Sequence, residues 1–218
     1  MKTKFFTVFI ILIFACCWKG SAQGSGNAFE FNFNETQYVA GPADFSGITE
    51  FTLEGWAYIP VYNAPQFFCG SNLSECFEIH ASPGGTIRFI PTSGSFFDIP
   101  AGSCPTAQWF HIACTYNNAG DCNMYINGIA IAVTNTSGVR NLINTTPVAV
   151  VLGRRGNPAY FSYAGKIDEF RIWNTVRTAS EIRDNMCRKI PGTTPGLIKY
   201  FRFDETAGNV VTDQTGNA

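Results

Sequence analysis

An all-β sandwich of two antiparallel sheets is the fold class that the sequence predicts. Short runs with β-strand character alternate with clusters of Gly, Asn, Pro and Ser, at the spacing typical of sandwich folds. Aromatic residues make up 15% of the 218 residues and charged residues only 14%. This composition supplies a large core and excludes a disordered chain or a coiled coil.

One segment predicts a helix, and six others carry the clearest strand pattern. The predicted strands are 50–59, 86–90, 108–116, 122–128, 148–153 and 165–173. Thr178 and Glu181 stand at the spacing of a capping box, and Ile182 and Met186 form an apolar stripe four residues apart. We therefore expect a single short helix near 178–187.

The first 23 residues have the three-part order of a signal peptide. Lys2 and Lys4 precede an apolar stretch from Phe5 to Cys17, and small and polar residues follow it. The stretch is too short to span a bilayer comfortably, and no later run is long and apolar enough to do so. We expect cleavage after Gln23.

Cleavage would leave residues 24–218 as one exported domain, secreted or at the cell surface. The leader removes three of the 15 basic residues and none of the 16 acidic ones, so this domain has a formal charge of −4. The acidic balance argues against nucleic acid and against polybasic contact with a membrane. A lipoprotein anchored through Cys16 is the alternative, although bulky Phe14 stands where such signals usually hold a small residue.

Six cysteines remain after the leader, and an even number in an exported chain predicts disulfides. They are Cys69, Cys76, Cys104, Cys114, Cys122 and Cys187. Spacing alone permits 15 pairings. Zinc is the competing interpretation, but no Cys-x-x-Cys pair is present and His80 and His111 are the only histidines.

Local spacing favours particular bridges among these pairings. Two-residue alternation places Cys114 and Cys122 on the apolar face of a hairpin, where opposed thiols could close a bridge. The expected pairs are Cys114–Cys122, Cys69–Cys76 across a short loop and, by elimination, Cys104–Cys187.

The ordered motifs resemble secreted laminin G-like domains, which are concanavalin A-like jelly rolls of the lectin and glucanase superfamily. FTLEGWAYI is similar to the family's early strand, and WFHIACTY followed by MYING is similar to its central hairpin. The family's most diagnostic stretch is matched by LGRR together with YAGKIDEFRIWNTVRTASEIRDNM. Its closing segment is similar to LIKYFRFDETAGNVVTDQTGN. Similar domains continue into one more strand, so we expect a truncated C-terminal edge or an edge supplied by another element.

Enzymatic activity is not expected from the acids of the matching strand. Related glucanases carry Glu-x-Asp-x-Glu on one strand face, where retaining hydrolysis needs two carboxylates about 5–5.5 Å apart. The corresponding stretch here is KIDEF. Alternation would place Lys166, Asp168 and Phe170 on one face and Glu169 on the other. A glycoside hydrolase is therefore the least favoured alternative.

A jelly roll without catalytic acids is expected to bind at a surface or rim. Sugars are held by aromatic faces and by Asn, Asp and Arg side chains, and loops often carry function. The ligand-binding candidates are Arg154, Arg155, Asn157, Tyr160, Phe161 and Tyr163. The structural alternative is that Tyr160 and Phe161 cover the sheet edge and that Arg155 pairs with Asp168.

Calcium is the cofactor that the resemblance implies, because some relatives bind it through carboxylate, carbonyl and water oxygens. The metal candidates are Glu35, Asp204, Asp213 and Asn217. The same residue types are also ordinary turn formers. His111 matches a position that the family also fills with His, which favours a structural role.

The leading hypothesis is a secreted, non-catalytic module that binds glycans through rim loops. The alternative is an adhesive or structural module that contacts extracellular proteins in a surface assembly. Laminin G-like domains are used in both ways, and fold alone does not decide between these functions.

Overall fold

The computed structural model describes residues 27–32, 37–71, 77–138, 148–155 and 162–216, so the predicted leader lies outside the described residues. The described residues form fourteen strands and one helix, which include the six strands and the helix that the sequence predicts. The elements are β1 (Phe29–Asn32), β2 (Val39–Ala43), β3 (Glu50–Tyr58), β4 (Gln66–Ser71), β5 (Glu78–Ala81), β6 (Ile87–Thr92), β7 (Ser95–Ile99), β8 (Trp109–Asn117), β9 (Cys122–Ile126), β10 (Ile129–Ile131), β11 (Thr134–Asn135), β12 (Val148–Leu152), β13 (Ala164–Trp173), α1 (Ala179–Asn185) and β14 (Leu197–Phe201).

The described strands form two antiparallel sheets of seven strands each. Sheet A has the order β1-β13-β3-β8-β9-β10, and sheet B has the order β11-β7-β6-β5-β4-β12-β2. β1 and β14 pair with successive parts of β13, on the side away from β3. The predicted all-β sandwich is confirmed.

The core between the sheets is built largely from aromatic side chains. Phe45 stacks on Phe77 with ring centroids 4.1 Å apart, and Phe51 meets Phe77 edge-on at 5.0 Å. Phe68 of sheet B meets Phe170 of sheet A at 5.7 Å. All five rings are buried. Edge-on and offset pairs of this kind stabilise by about 0.5–1.5 kcal/mol beyond the burial of their area.

The segment that carries α1 covers part of the outer face of sheet A. The Thr178 hydroxyl accepts a hydrogen bond from the Glu181 N–H at 3.2 Å, and the Glu181 carboxylate accepts one from the Thr178 N–H at 2.8 Å. The predicted capping box is therefore formed. Ile182 packs against Ala113 and Tyr125 of the sheet. No helix among the described residues has the length and apolar character needed to span a membrane.

Free thiols in the sandwich correct the predicted disulfides. The free cysteines are Cys69, Cys104, Cys114 and Cys122. None of the three expected bridges is therefore present: Cys69–Cys76, Cys104–Cys187 or Cys114–Cys122. In the hairpin, Cys114 lies opposite Met124 and Cys122 lies opposite Tyr116. Cys114 and Cys122 are therefore diagonal neighbours, whose Cα atoms are about 7–8 Å apart in such a pair, and a disulfide does not span Cα atoms that far apart.

A β-bulge in β13 corrects the expected faces of the KIDEF segment. The register of β13 with β3 shifts between Asp168 and Arg171, so that Glu169 and Phe170 together oppose one residue of β3. Glu169 has a φ of 51°, and the alternation of faces changes phase there. Phe170 therefore lies in the core, and not on the face of Lys166 and Asp168 as simple alternation predicts.

Candidate functional site

A groove of about 880 Å³ lies between the open edges of the two sheets. β2 is the terminal strand of sheet B, and β1 and β14 border sheet A. The two edges are close, because a Cβ atom on Gly41 of β2 would lie 3.7 Å from Cζ of Phe201 in β14. The third part of the lining is the chain that follows β14. Polar and charged side chains of the lining are Gln37, Lys199, Glu205, Thr206, Asn209 and Asp213.

Two exposed apolar side chains, Tyr38 and Val210, also line the groove. Tyr38 is 42% exposed and Val210 is 77% exposed. The guanidinium carbon of Arg154 lies 3.5 Å from the centroid of the Tyr38 ring, a cation–π contact that restrains the ring. A restrained aromatic ring loses little conformational entropy when a ligand packs on it.

The ion pair between Lys199 and Asp213, which is largely buried, forms one wall of the groove. Nζ of Lys199 lies 2.8 Å from Oδ2 of Asp213. Oδ1 of Asp213 accepts hydrogen bonds from the Tyr200 N–H at 3.1 Å and from the Thr215 hydroxyl at 2.9 Å. Asp213 also forms an antiparallel bridge with Phe201. These bonds fasten the closing segment to the edge of β14.

The two predicted calcium ligands that the structure describes each contact a lysine. Asp213 forms the ion pair given above, and Oδ2 of Asp204 lies 2.6 Å from Nζ of Lys189. An ammonium group therefore already neutralises each carboxylate. Glu35 and Asn217 lie outside the described residues. Within the described ranges, no three His, Cys, Asp or Glu side chains are grouped so that they could hold a metal ion.

Two backbone features distinguish the groove. Pro42 of β2 lacks an N–H, so a further strand added to this edge would lose a ladder hydrogen bond. Phe203 has a φ of 55°, which is unusual for a bulky residue. Strained residues of this kind cluster at functional sites, and both Pro42 and Phe203 line the groove.

The predicted binding loop is described only in part. Its residues outside the described ranges are Asn157, Tyr160 and Phe161. Arg154 reaches Tyr38 and so lies beside the groove. Nε of Arg155 lies 3.3 Å from Oε2 of Glu78, so the alternative in which Arg155 pairs with Asp168 is wrong.

Tyr163 is a core residue, which corrects its place among the ligand-binding candidates. Its side chain is fully buried, and its hydroxyl donates a hydrogen bond to the carbonyl oxygen of Tyr58 at 3.1 Å. Its ring meets Phe31 edge-on at 5.8 Å. Because a buried ring cannot stack on a ligand, Tyr163 is left out of the candidate site.

The acids of the KIDEF segment belong to a buried polar cluster on the outer side of sheet A. Glu169 accepts hydrogen bonds from Arg171 at 2.7 Å and from the Tyr200 hydroxyl. Oδ1 of Asp168 accepts the Glu169 N–H at 2.9 Å. Burial, together with the neighbouring Glu169 carboxylate, raises the pKa of Asp168 to about 7. Both carboxylates are buried, so a sugar chain does not reach them.

His111 lies in the same cluster. Its Nε2 is 3.7 Å from Oε2 of Glu54, and both side chains are buried. Burial and the positive charge of Arg171 lower the pKa of His111 to about 3, so the imidazole is neutral at ordinary pH. Its ring also meets Trp56 edge-on at 5.5 Å. These contacts fit the structural role that the sequence favours.

Sequence reasoning did not identify Tyr38 and Val210. A signal was present for Val210, which with Val211 forms an apolar pair inside a polar closing segment. Tyr38 stands just before a strand too weak in pattern to be recognised. The two residues line the same groove only because the first and last parts of the chain border the same side of the sandwich.

The fold is similar to that of several solved binding domains. A candidate carbohydrate binding protein from Bacteroides ovatus matches with a TM-score of 0.69 and 21% identity, over 88% of this chain and 56% of that chain. Domain 4 of an extracellular arabinanase from Geobacillus stearothermophilus, in complex with arabinotriose, matches with a TM-score of 0.56 and 21% identity, over 74% and 76% of the two chains. At such identities, the likeness shows the fold.

A toxin and a sequence family complete the comparison. Paraclostridial mosquitocidal protein 1 of Paraclostridium bifermentans is 26% identical over 161 residues, which are 64% of this chain and 12% of that protein. Its binding domain matches with a TM-score of 0.54 and 21% identity, over 72% of this chain and 42% of that chain. Residues 33–183 match the Laminin_G_3 family, which is more than half of the chain. The chain therefore belongs to the concanavalin A-like lectin/glucanases superfamily.

Proposed function

We propose that this chain is an exported, non-catalytic module that binds a glycan in the groove between the sheet edges. The groove is the observation that carries this proposal. It combines an exposed aromatic ring, Tyr38, with amide and carboxylate side chains along one open depression. Ligand sites of this kind pair apolar surface with a few placed polar groups.

The groove chemistry suits a sugar better than an apolar ligand. The ring of Tyr38 offers a flat face for the C–H surface of a pyranose or furanose. Gln37, Asn209 and Glu205 offer hydrogen-bond donors and acceptors for hydroxyl groups. The Lys199–Asp213 pair balances its own charge, so the wall that it forms favours neither a cationic nor an anionic ligand strongly.

The similar proteins support a binding role. The Bacteroides protein is a candidate carbohydrate binding protein, the arabinanase domain is in complex with arabinotriose, and the toxin domain is a binding domain. A non-enzymatic role is further supported by the acids of β13. Asp168 and Glu169 are buried, and Glu169 is occupied by Arg171 and Tyr200.

Export is part of the same proposal and rests on the leader pattern of residues 1–23. A module released from the cell or held at its surface would meet polysaccharides and host or neighbouring cell glycans. Calcium is not assigned to a site in this proposal, because Lys189 and Lys199 already neutralise Asp204 and Asp213. Its concentration is a variable of the binding experiment.

The experiment is a screen of the exported protein against a broad panel of polysaccharides and oligosaccharides. Saturable binding, without release of reducing ends, is the expected result. Each positive glycan is measured again with calcium and with a chelator, which separates a metal-dependent site from the groove as described. A folded protein that binds no glycan, or one that cleaves its ligand, would overturn the proposal. Binding to a surface protein instead would favour the adhesive alternative.

A further inference from the structure

A row of four side chains crosses the outer face of sheet A, apart from the groove. Glu30 of β1 lies opposite Lys166 of β13. Tyr58 of β3 lies opposite Lys166 on one side and opposite Trp109 of β8 on the other. Directly opposed residues on neighbouring strands repeat at about 4.8 Å. The row, called here the Trp109 row, therefore presents one side chain for each strand spacing.

The Trp109 row faces away from the core. Ala57, Phe110 and Ile167 adjoin its members along the strands and belong to the buried core. Because side chains alternate between the faces of a strand, the members of the row point outward. Tyr58 and Trp109 are partly exposed.

The segment that carries α1 leaves the Trp109 row uncovered and lies over the next row along the strands. There, the indole N–H of Trp56 donates a hydrogen bond to the carbonyl oxygen of Met186 at 2.7 Å, and Trp56 is buried. Trp56 lies opposite His111, which is buried as well. The outer face of sheet A is thus divided into a covered row and an open one.

The open row has the chemistry of a sugar platform. The rings of Tyr58 and Trp109 lie with centroids 5.9 Å apart. Neither the Tyr58 hydroxyl nor the Trp109 indole N–H bonds to another residue that the structure describes, so both remain for a ligand. Nζ of Lys166 lies 3.6 Å from Oε2 of Glu30, with 40% and 58% of these side chains exposed. A donor and an acceptor therefore flank the two rings.

We propose that the Trp109 row is a second carbohydrate-contact surface of this module. The rings of Trp109 and Tyr58 are tilted by 60° to each other, so one sugar ring stacks on Trp109 while Tyr58 flanks its edge. The neighbouring sugar along the chain bonds through hydroxyls to Lys166 and Glu30. Two partly exposed aromatic rings, each with a polar group that bonds to no other described residue, followed by an exposed ion pair, fit alternating C–H faces and hydroxyl groups. This inference rests on the proposed function for the class of ligand.

The two surfaces meet at β1. Phe29 lines the groove, and the next residue, Glu30, begins the Trp109 row. A polysaccharide that leaves the groove over β1 would therefore meet Glu30, the first member of the row. Occupying both surfaces with one chain makes the second contact intramolecular, which raises affinity for long chains over short ones.

Tryptophan fluorescence tests this inference without a mutation. Of the four tryptophans, Trp18 belongs to the predicted leader, and Trp56 and Trp173 are only 3% and 1% exposed. Quenching by acrylamide in the exported protein therefore reports mainly on Trp109. The probes are arabinan, xylan and mixed-linkage β-glucan, each compared with its trisaccharide. We expect the polysaccharide that binds to protect Trp109 from quenching, and the trisaccharide to do so less.

Variants separate the row from the groove. Trp109→Ala is expected to weaken binding of the long chain about tenfold or more and to leave trisaccharide binding within about twofold, while Trp109→Phe retains most of the long-chain affinity. Lys166→Met is the second variant, for use if Trp109→Ala does not fold. One result would overturn this inference but not the proposed function. In that result, Tyr38→Ala abolishes long-chain binding, but the binding neither protects Trp109 from quenching nor changes in the Trp109 and Lys166 variants. Failure of every glycan to bind would overturn the proposed function and this inference with it.

Discussion

The indole N–H of Trp173 donates a hydrogen bond to Oε1 of Glu54 at 2.8 Å, and both side chains are buried. Trp173 ends β13, and Glu54 lies in the middle of β3. Nη1 of Arg171 lies 3.7 Å from the same Glu54 oxygen and donates a hydrogen bond to the carbonyl of Asn185, the last residue of α1, at 2.9 Å. One buried carboxylate thus joins two strands of sheet A to the segment that covers them.

Trp173→Phe is expected to lower the free energy of unfolding by about 1–3 kcal/mol, because it removes the donor and leaves Oε1 of Glu54 poorly satisfied. Urea denaturation followed by far-UV circular dichroism measures the loss. The matched control is Trp109→Phe, whose indole N–H bonds to no described residue and whose loss should be clearly smaller. Equal losses in the two variants would show that the Glu54 contact adds nothing.

Asp168→Asn is expected to stabilise the protein at and above neutral pH. Burial and the Glu169 carboxylate raise the pKa of Asp168 to about 7, whereas an aspartate in an unfolded chain titrates near 3.9. Between these values the native state holds a proton that the unfolded state lacks. The stability that this group contributes is therefore complete below about pH 4 and is lost as pH rises to about 7.

The measured quantity is the difference in unfolding free energy between Asp168→Asn and the wild type. This difference should move in favour of the variant from pH 5 to pH 8, since Asn keeps an acceptor for the Glu169 N–H without titrating. The comparison cancels the contribution of His111, whose pKa of about 3 gives the opposite slope in the same range. A difference that stays constant from pH 5 to pH 8 would refute the raised pKa.

Thr178→Ala is expected to lower stability by about 1 kcal/mol, because the helix loses the acceptor for the Glu181 N–H. Ser180→Ala is the control, since the Ser180 hydroxyl contacts only the exposed Asp184 carboxylate, at 3.4 Å. Thermal unfolding of the two variants makes the comparison. A larger effect from Ser180→Ala than from Thr178→Ala would contradict the capping role.

The four free cysteines, Cys69, Cys104, Cys114 and Cys122, should react with a thiol reagent only after unfolding. Cys69, Cys104 and Cys114 are buried, and burial raises the pKa of Cys104 and of the half-buried Cys122 to about 12. The thiolate is the reactive form. We expect little labelling of the native protein at pH 8 and at least four labelled thiols in denaturant. Fewer than four would mean that a bridge forms after all.

Local pattern predicted much of the fold but little of the site. β8 and β9 form the expected hairpin because each is flanked by turn residues. Phe110 and Ile112 of β8 face the core as alternation predicts, although β8 is buried on its other face too. The pattern failed at Glu169, where one inserted residue changes the phase of β13 without any signature in composition. The prediction of a Cys114–Cys122 disulfide was wrong for a related reason. Alternation shows that the two residues share a face, but only the register shows that they are diagonal neighbours.

The sequence also did not predict which single aromatic residues are buried and which are exposed. Tyr163 has the local surroundings of a loop tyrosine, yet its hydroxyl donates a hydrogen bond to the carbonyl of Tyr58 on β3, far away in sequence. Tyr38 has similar surroundings and remains exposed, with Arg154 stacked on it. The difference depends on contacts between distant segments, which no window of sequence contains.

The most direct test of the central claim is the dissociation constant of a glycan that binds, measured by calorimetry for the wild type, Tyr38→Ala and Ile129→Ala. Ile129 is 57% exposed on β10, at the opposite edge of sheet A, so it controls for loss of an exposed apolar side chain. We predict that Tyr38→Ala weakens binding about tenfold or more while Ile129→Ala stays within about twofold of the wild type. Equal affinity of all three proteins would show that the groove is not the glycan site.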